Sequence, residues 1–309
     1  MRDVETRQRT TPTPDLFTPA ERTAGQEEHI GGPPIGFWKD AWNRLKKNRP
    51  AVISLGIIVF LILMTFLGPL LTPYTPFGQD LNRAFTSPNG QFWFGTDEFG
   101  RSMFDRVWEG TKVSLYIAFL ATAIDIVFGI SYGAISGFYG GRVDNVMQRI
   151  IEVIVGIPQL VVLILLMVVF QPGIFSISVS LAIVGWTSAA RLIRGQVLQL
   201  KEQEFFLAAR TLGASNFRLI ARHLLPNVIY ISVITLMFTV PSAIFYEALL
   251  SYIGLGISVP DASLGALMEN GADNMRYEPY LLLIPATVLA LLLLCFNLLG
   301  DGLRDALDP

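Results

Sequence analysis

Side chains capable of covalent chemistry are sparse in this sequence, and their spacing does not assemble a centre. There are two histidines, His29 and His223, and one cysteine, Cys295; no HExxH or CxxC pairing occurs. Two histidines this far apart do not suggest a metal cluster, and one cysteine cannot form a disulfide within the chain. No lysine follows a glycine, so the phosphate-cradling GxxxxGK[ST] loop is missing. One GxSxG string, Gly-Ile-Ser-Tyr-Gly at 129–133, lies inside an apolar run rather than at the strand-to-helix turn that exposes a nucleophilic serine. Ser131 therefore reads as a small helix-packing residue. No catalytic residue, metal ligand or cofactor of this chain follows from the pattern.

Polar groups set in hydrocarbon are the next candidates, because an ionisable side chain there is costly and usually faces a cavity or a partner. Asp125 sits midway along its apolar run, where lining a pathway and a structural hydrogen-bonded role both fit. Glu152 and Glu247 fall near the ends of theirs, where interfacial exposure or snorkelling explains them without function. Pro158 and Pro241, with Gly156 and Pro285, are positions where a helix can bend, freeing carbonyls or forming hinges, although such residues are ordinary in membrane helices.

The elements that must hold these residues are membrane spans. Of 309 residues, 52% are hydrophobic and only 16% charged, outside the balance of soluble domains. A spanning helix needs about 20 mainly apolar residues. Six such runs occur, at 51–71, 113–137, 151–170, 174–190, 228–250 and 280–300, with the third and fourth joined as a tight hairpin. The sequence thus predicts an all-α integral membrane protein of six transmembrane helices. With both termini cytoplasmic, 18 of the 23 basic residues fall on the inner side, as the positive-inside rule requires. Segments 72–112 and 252–280 are then extracytoplasmic. Residues 1–35 are rich in Thr, Pro, Gly and Glu and are expected to be a disordered cytoplasmic tail. Residues 36–50 carry Phe37, Trp38, Trp42 and Leu45 on one side, as in an interfacial amphipathic helix or one packed on the protein's own loops; 51–309 make up the six-span domain.

The longest basic loop, 191–227, is far longer than a connection requires. Residues 197–212 are mostly helix formers, and Ala208 and Ala209 leave a flat patch for close backbone approach. Gly213 suits a left-handed C-cap. Ser215 can then cap a second short helix, with Phe217, Ile220, Ala221 and Leu224 on one face and Arg218 and Arg222 paired at i,i+4; Pro226 is expected to end it. A rigid helix-turn-helix for docking and a basic loop held at anionic lipid both fit.

Ala208, Ala209, Gly213, Leu225 and Pro226 resemble the EAA loop of bacterial ABC importer permeases, E-A-A-x3-G-x9-I-x-L-P, with Leu207 and His223 in place of its Glu and Ile. Three more stretches resemble the oligopeptide, dipeptide and nickel branch. They are Phe-Gly-Thr-Asp-Glu-Phe-Gly-Arg at 94–101, Leu-Ser-Tyr-Ile-Gly-Leu-Gly-Ile at 250–257, and the carboxyl end from Gly300. Ser102, Asp105 and Leu264 depart from the branch's usual residues, and the likeness, strongest to the C-type subunit of oligopeptide importers, spans 38–309. The resemblance implies a type I ABC importer permease fold in the bacterial cell membrane, paired with a homologous second permease. It implies two cytoplasmic ATP-binding subunits, which bind the ATP and Mg, and an extracytoplasmic substrate-binding protein. It further implies that Ala208, Ala209, Arg210, Gly213, Ala214, Ser215, Arg218, Leu225 and Pro226 form the ATPase-coupling surface, with Asp125, Pro158 and Pro241 in the translocation pathway. Peptide cargo leads; nickel or another solute, and a membrane enzyme or sensor, are the alternatives.

Overall fold

The structure, a computed structural model, describes residues 36–170, 173–257 and 261–307. The expected tail at 1–35 lies outside the described residues. Residues up to Asp40 group separately from Ala41–Pro309, which forms one compact unit.

Helix α1 covers Phe37–Leu45, and within the compact unit it buries Ala41 and Leu45, one turn apart, while Trp42 is exposed. Asn48 then caps α2 (Arg49–Leu67), accepting a hydrogen bond from the Ala51 N–H at 3.2 Å, with Pro50 in the first turn where a missing N–H costs little. A 3₁₀ turn at Gly68–Leu70 continues it. Helix α3 (Met103–Tyr139) is followed by α4 (Gly141–Val155), α5 (Gln159–Val169) and α6 (Ile174–Lys201). After α7 (Glu204–Thr211) and α8 (Asn216–Arg218), a π-helical turn at Leu219–Leu224 runs into α9 (Leu225–Tyr252); α10 (Leu264–Asp273) and α11 (Tyr280–Leu307) complete the chain. No β-strand occurs among the described residues.

Five elements, Arg49–Leu70, α3, α6, Ile231–Tyr252 within α9, and α11, are long and apolar enough to cross a bilayer. The apolar run at 151–170 is divided differently from the expectation of one span. It is split between α4 and α5, which meet at an 80° bend. Pro158 lacks an N–H and drives the preceding residue out of helical geometry, so the chain turns there. Eleven residues of α5 rise about 16 Å, roughly half the hydrocarbon thickness. Only the bent pair as a whole offers a sixth crossing. Pro241 and Pro285, by contrast, sit inside unbroken helices.

The closest helix pair is α3 with α6, running side by side in the same direction. A Cβ at Gly129 would come within 2.5 Å of the Ala189 Cβ, one at Gly133 within 2.9 Å of the Ile193 Cβ, and one at Gly137 within 2.9 Å of the Val197 Cβ. Three glycines at four-residue spacing thus let two backbones approach, the membrane counterpart of core packing. Ser131 is not part of this seam: it is exposed, its hydroxyl donating to Val127 O, and the glycines flanking it do the packing.

Candidate functional site

The 204–227 segment is built on a compact stop and restart. Gly213 has φ +78°, its N–H donates to Arg210 O at 3.1 Å, and the Ala214 N–H donates to Ala209 O at 3.2 Å. These are the two bonds of a Schellman C-cap, and Gly213 occupies its left-handed position without a Cβ penalty. Ser215 Oγ then accepts from the Arg218 N–H at 3.4 Å, capping the second helix.

The loop carries its own small core. Phe206, Leu219, Leu224 and Val228 are buried with Ala134 of α3 and Ile193 and Val197 of α6, and Ala209 and Ala214 pack against them. Widening of the helix at Leu219–Leu224 puts Leu219 and Leu224, five apart, on one side. Of the face expected from ordinary helical spacing, Leu224 is buried and Ile220 packs on the same core, whereas Phe217 is 82% exposed; Pro226 continues the helix from the first turn of α9 instead of ending it. Ala208, Arg210, Ser215, Arg218 and Pro226 are exposed, and Leu225 is half-buried. The outward surface gains Leu212, 87% exposed, which sequence spacing did not single out.

Two basic side chains near the end of α6, just before this unit, tie α6 to α3 and α4. Lys201 Nζ donates to Gly137 O and Phe138 O at 3.0 and 2.8 Å, the last carbonyls of α3. Arg194 clasps Asp144 of α4 through Nε and Nη2, both at 2.5 Å, while Ser136 Oγ donates to the same carboxylate. A bidentate fork of this kind fixes direction as well as distance.

Between α6 and α9 lies a cavity of about 720 Å³. Asp125, Gln159, Gly185, Ser188, Thr235 and Thr239 are among its lining residues, with Arg304 of α11. Asp125 is 3% exposed and its Oδ1 has no hydrogen-bond partner. Pro158 is exposed at the α4–α5 bend, next to Gln159, and Pro241 is buried next to Ser242, which lines the cavity.

Residues 129–309 match the family described as "Binding-protein-dependent transport system inner membrane component", and residues 36–88 match the "N-terminal TM domain of oligopeptide transport permease C". The chain belongs to this family of transport permeases. It is 43% identical to the oligopeptide transport system permease protein OppC of Bacillus subtilis over 96% of this chain and 97% of that protein. It is 44% identical to the dipeptide permease DppC of the same organism, over 92% and 89%. Solved structures of an amino acid ABC transporter and of the inward-facing MetNI methionine ABC transporter each align with a TM-score of 0.50, at 22% and 18% identity. They cover 64% and 65% of this chain and 93% and 94% of their own, a likeness of fold. The permease is thus a membrane-embedded transport subunit rather than an enzyme.

Two stretches read as motifs prove to be locks in the permease. At 94–101, Asp97 accepts from the Phe99 and Arg101 N–H groups, and its Oδ2 meets Arg101 Nε at 2.6 Å and Arg106 Nε at 3.4 Å. Arg101 is 1% exposed, and a Cβ on Gly100, at φ +70°, would collide with the Asp80 carbonyl. At the end of α9, Glu247 is 0% exposed, so the snorkelling expected of it does not occur. Ser114 Oγ and Ser251 Oγ donate to its two oxygens at 2.7 and 2.8 Å, and Ser263 Oγ lies 3.2 Å from Ser251 Oγ. The network joins α3, α9 and the cap of α10; partners this remote in sequence leave no local signal.

Proposed function

We propose that this permease imports oligopeptides or dipeptides by the ABC mechanism. It forms one pathway with a homologous second permease in the bacterial cell membrane, both termini cytoplasmic. An extracytoplasmic binding protein delivers the peptide at the 72–112 and 252–280 side. Two cytoplasmic ATP-binding subunits, holding ATP and Mg, dock on the 191–227 loop. The observation that carries the coupling role is the outward surface of α7 and α8, where Leu212 and Phe217 stand exposed beside Arg210 and Arg218 on a unit packed by its own core. Exposed aromatic and arginine side chains are residue types enriched where protein surfaces dock. The peptide reading is supported by the names of the OppC and DppC relatives. Ala208 lies on the outward surface; Ala209 and Ala214 brace it from within.

Phe217→Glu tests this most cleanly, because its side chain contributes little to the chain's own core. In proteoliposomes holding both permeases, the ATP-binding subunits and the binding protein, ATP-dependent uptake of a labelled tripeptide is expected to fall roughly tenfold or more, as for loss of an interface hot spot. Co-purification of the ATP-binding subunit should fall with it, while the permease reaches the membrane in normal amount. Normal uptake with normal co-purification would remove the coupling role.

A further inference from the structure

We infer that Asp125 receives the protonated amino terminus of a peptide in transit, an inference that rests on peptide import as proposed above.

The cavity of about 720 Å³ is of a size that holds a short peptide. Leu181 and Leu192 of α6 and Ile231, Ile234 and Phe238 of α9 give it apolar walls. Three of its hydroxyl groups on α9 spend their hydrogens on the helix backbone: Thr235, Thr239 and Ser242 donate to the carbonyls of Ile231, Thr235 and Phe238 at 2.8, 2.9 and 2.9 Å. Among the described lining residues the other charged side chain is Arg304, which shares the sign of an ammonium group and lies on the last turns of α11. Asp125 is the acidic side chain among the described lining residues.

The carboxylate is placed to do so. A Cβ at position 185 would overlap it, so the carboxylate sits in the space that Gly185 leaves free, and both residues line the cavity. The Trp186 backbone amide lies alongside, yet Oδ1 is left without a partner. Oδ1 of Asp125 is thus a buried acceptor that no donor of the chain meets, and an α-ammonium brings three N–H groups. An unpaired carboxylate at membrane depth is costly, and an arriving cation relieves that cost only while the peptide is present.

The test uses the reconstituted complex and two peptides, one with a free amino terminus and one acetylated, compared at equal occupancy of the binding protein. Wild type is expected to import the free-amine peptide roughly tenfold faster, the scale set by leaving one buried polar group without its partner. Asp125→Asn, nearly isosteric, should abolish this preference by slowing the free-amine peptide alone. Asp125→Glu, which keeps the charge and displaces it, should retain part of it and serves if the Asn variant fails to assemble. Retention of the full preference in the variants would overturn the inference, as would equal slowing of both peptides, the mark of a structural role. A third arm replaces sodium with choline outside. Sodium dependence lost in Asp125→Asn would assign the site to an inorganic cation and overturn the inference too. Failure of wild type to import any peptide would overturn the cargo reading itself, and this inference with it.

Discussion

A carboxylate removed from water needs donors, and Glu247 has them in Ser114 and Ser251. Truncation to alanine would leave a cavity and two unmet hydroxyls, whereas glutamine keeps the volume and can both accept and donate. Glu247→Ala is therefore expected to destabilise the permease by about 2–4 kcal/mol, and Glu247→Gln by less than half of that. The unfolding midpoint of the purified protein in detergent measures both. Equal loss in the two variants would show that charge, rather than shape and hydrogen bonding, is what the network requires. Much of the loop's residue-level chemistry was legible in advance: Gly213 and Ser215 take their roles as C′ and N-cap because capping depends on neighbours within a few residues. Phe217 parts from Leu224 because the π turn between them changes which side of the helix each occupies.

At the scale of elements, the joint of α3, α4 and α6 beside α7 is the path that the proposed coupling would use from the loop to the bundle. The Gly129–Gly133–Gly137 seam makes α3 and α6 one rigid unit, and the Asp144–Arg194 fork ties α4 to it. A double-mutant cycle of Asp144→Ala and Arg194→Ala should return an interaction free energy of roughly 1–3 kcal/mol, within the range for contacting residues. Each single variant should leave the complex assembled but with more ATP hydrolysed per peptide imported. Additive effects on unfolding, with unchanged coupling ratio, would reduce the fork to a surface contact. The glycine spacing was visible as sequence, yet it first suggested Ser131 as the packing residue. Only the rotation of α3 against α6 separates the packed face from the exposed one.

For the whole molecule, the 18 to 5 division of basic residues predicts which loops face outward. In a Cys295→Ser background, cysteines at Ser87 and Arg276, both exposed, should react with an impermeant maleimide added to intact cells, and one at exposed Asn216 should not. Labelling at 216 alone would invert the topology and with it the site of ATP-dependent docking. Ser87 is the better outer position than Asn89, whose Oδ1 holds the Gln91 and Phe92 N–H groups.

The order of the spans, the membrane environment and the break at Gly213 were determined by the sequence alone, because hydropathy and capping are sums over neighbouring residues. Tertiary structure decided the rest. Whether 151–170 crosses as one helix depended on an 80° bend at Pro158, and whether Glu247 meets water depended on Ser114, 133 residues away. Asp125 could be placed in hydrocarbon from its flanking residues. That it borders a cavity with its carboxylate against Gly185 follows from the register of α3 against α6, which sixty residues of intervening chain leave unspecified until the helices pack.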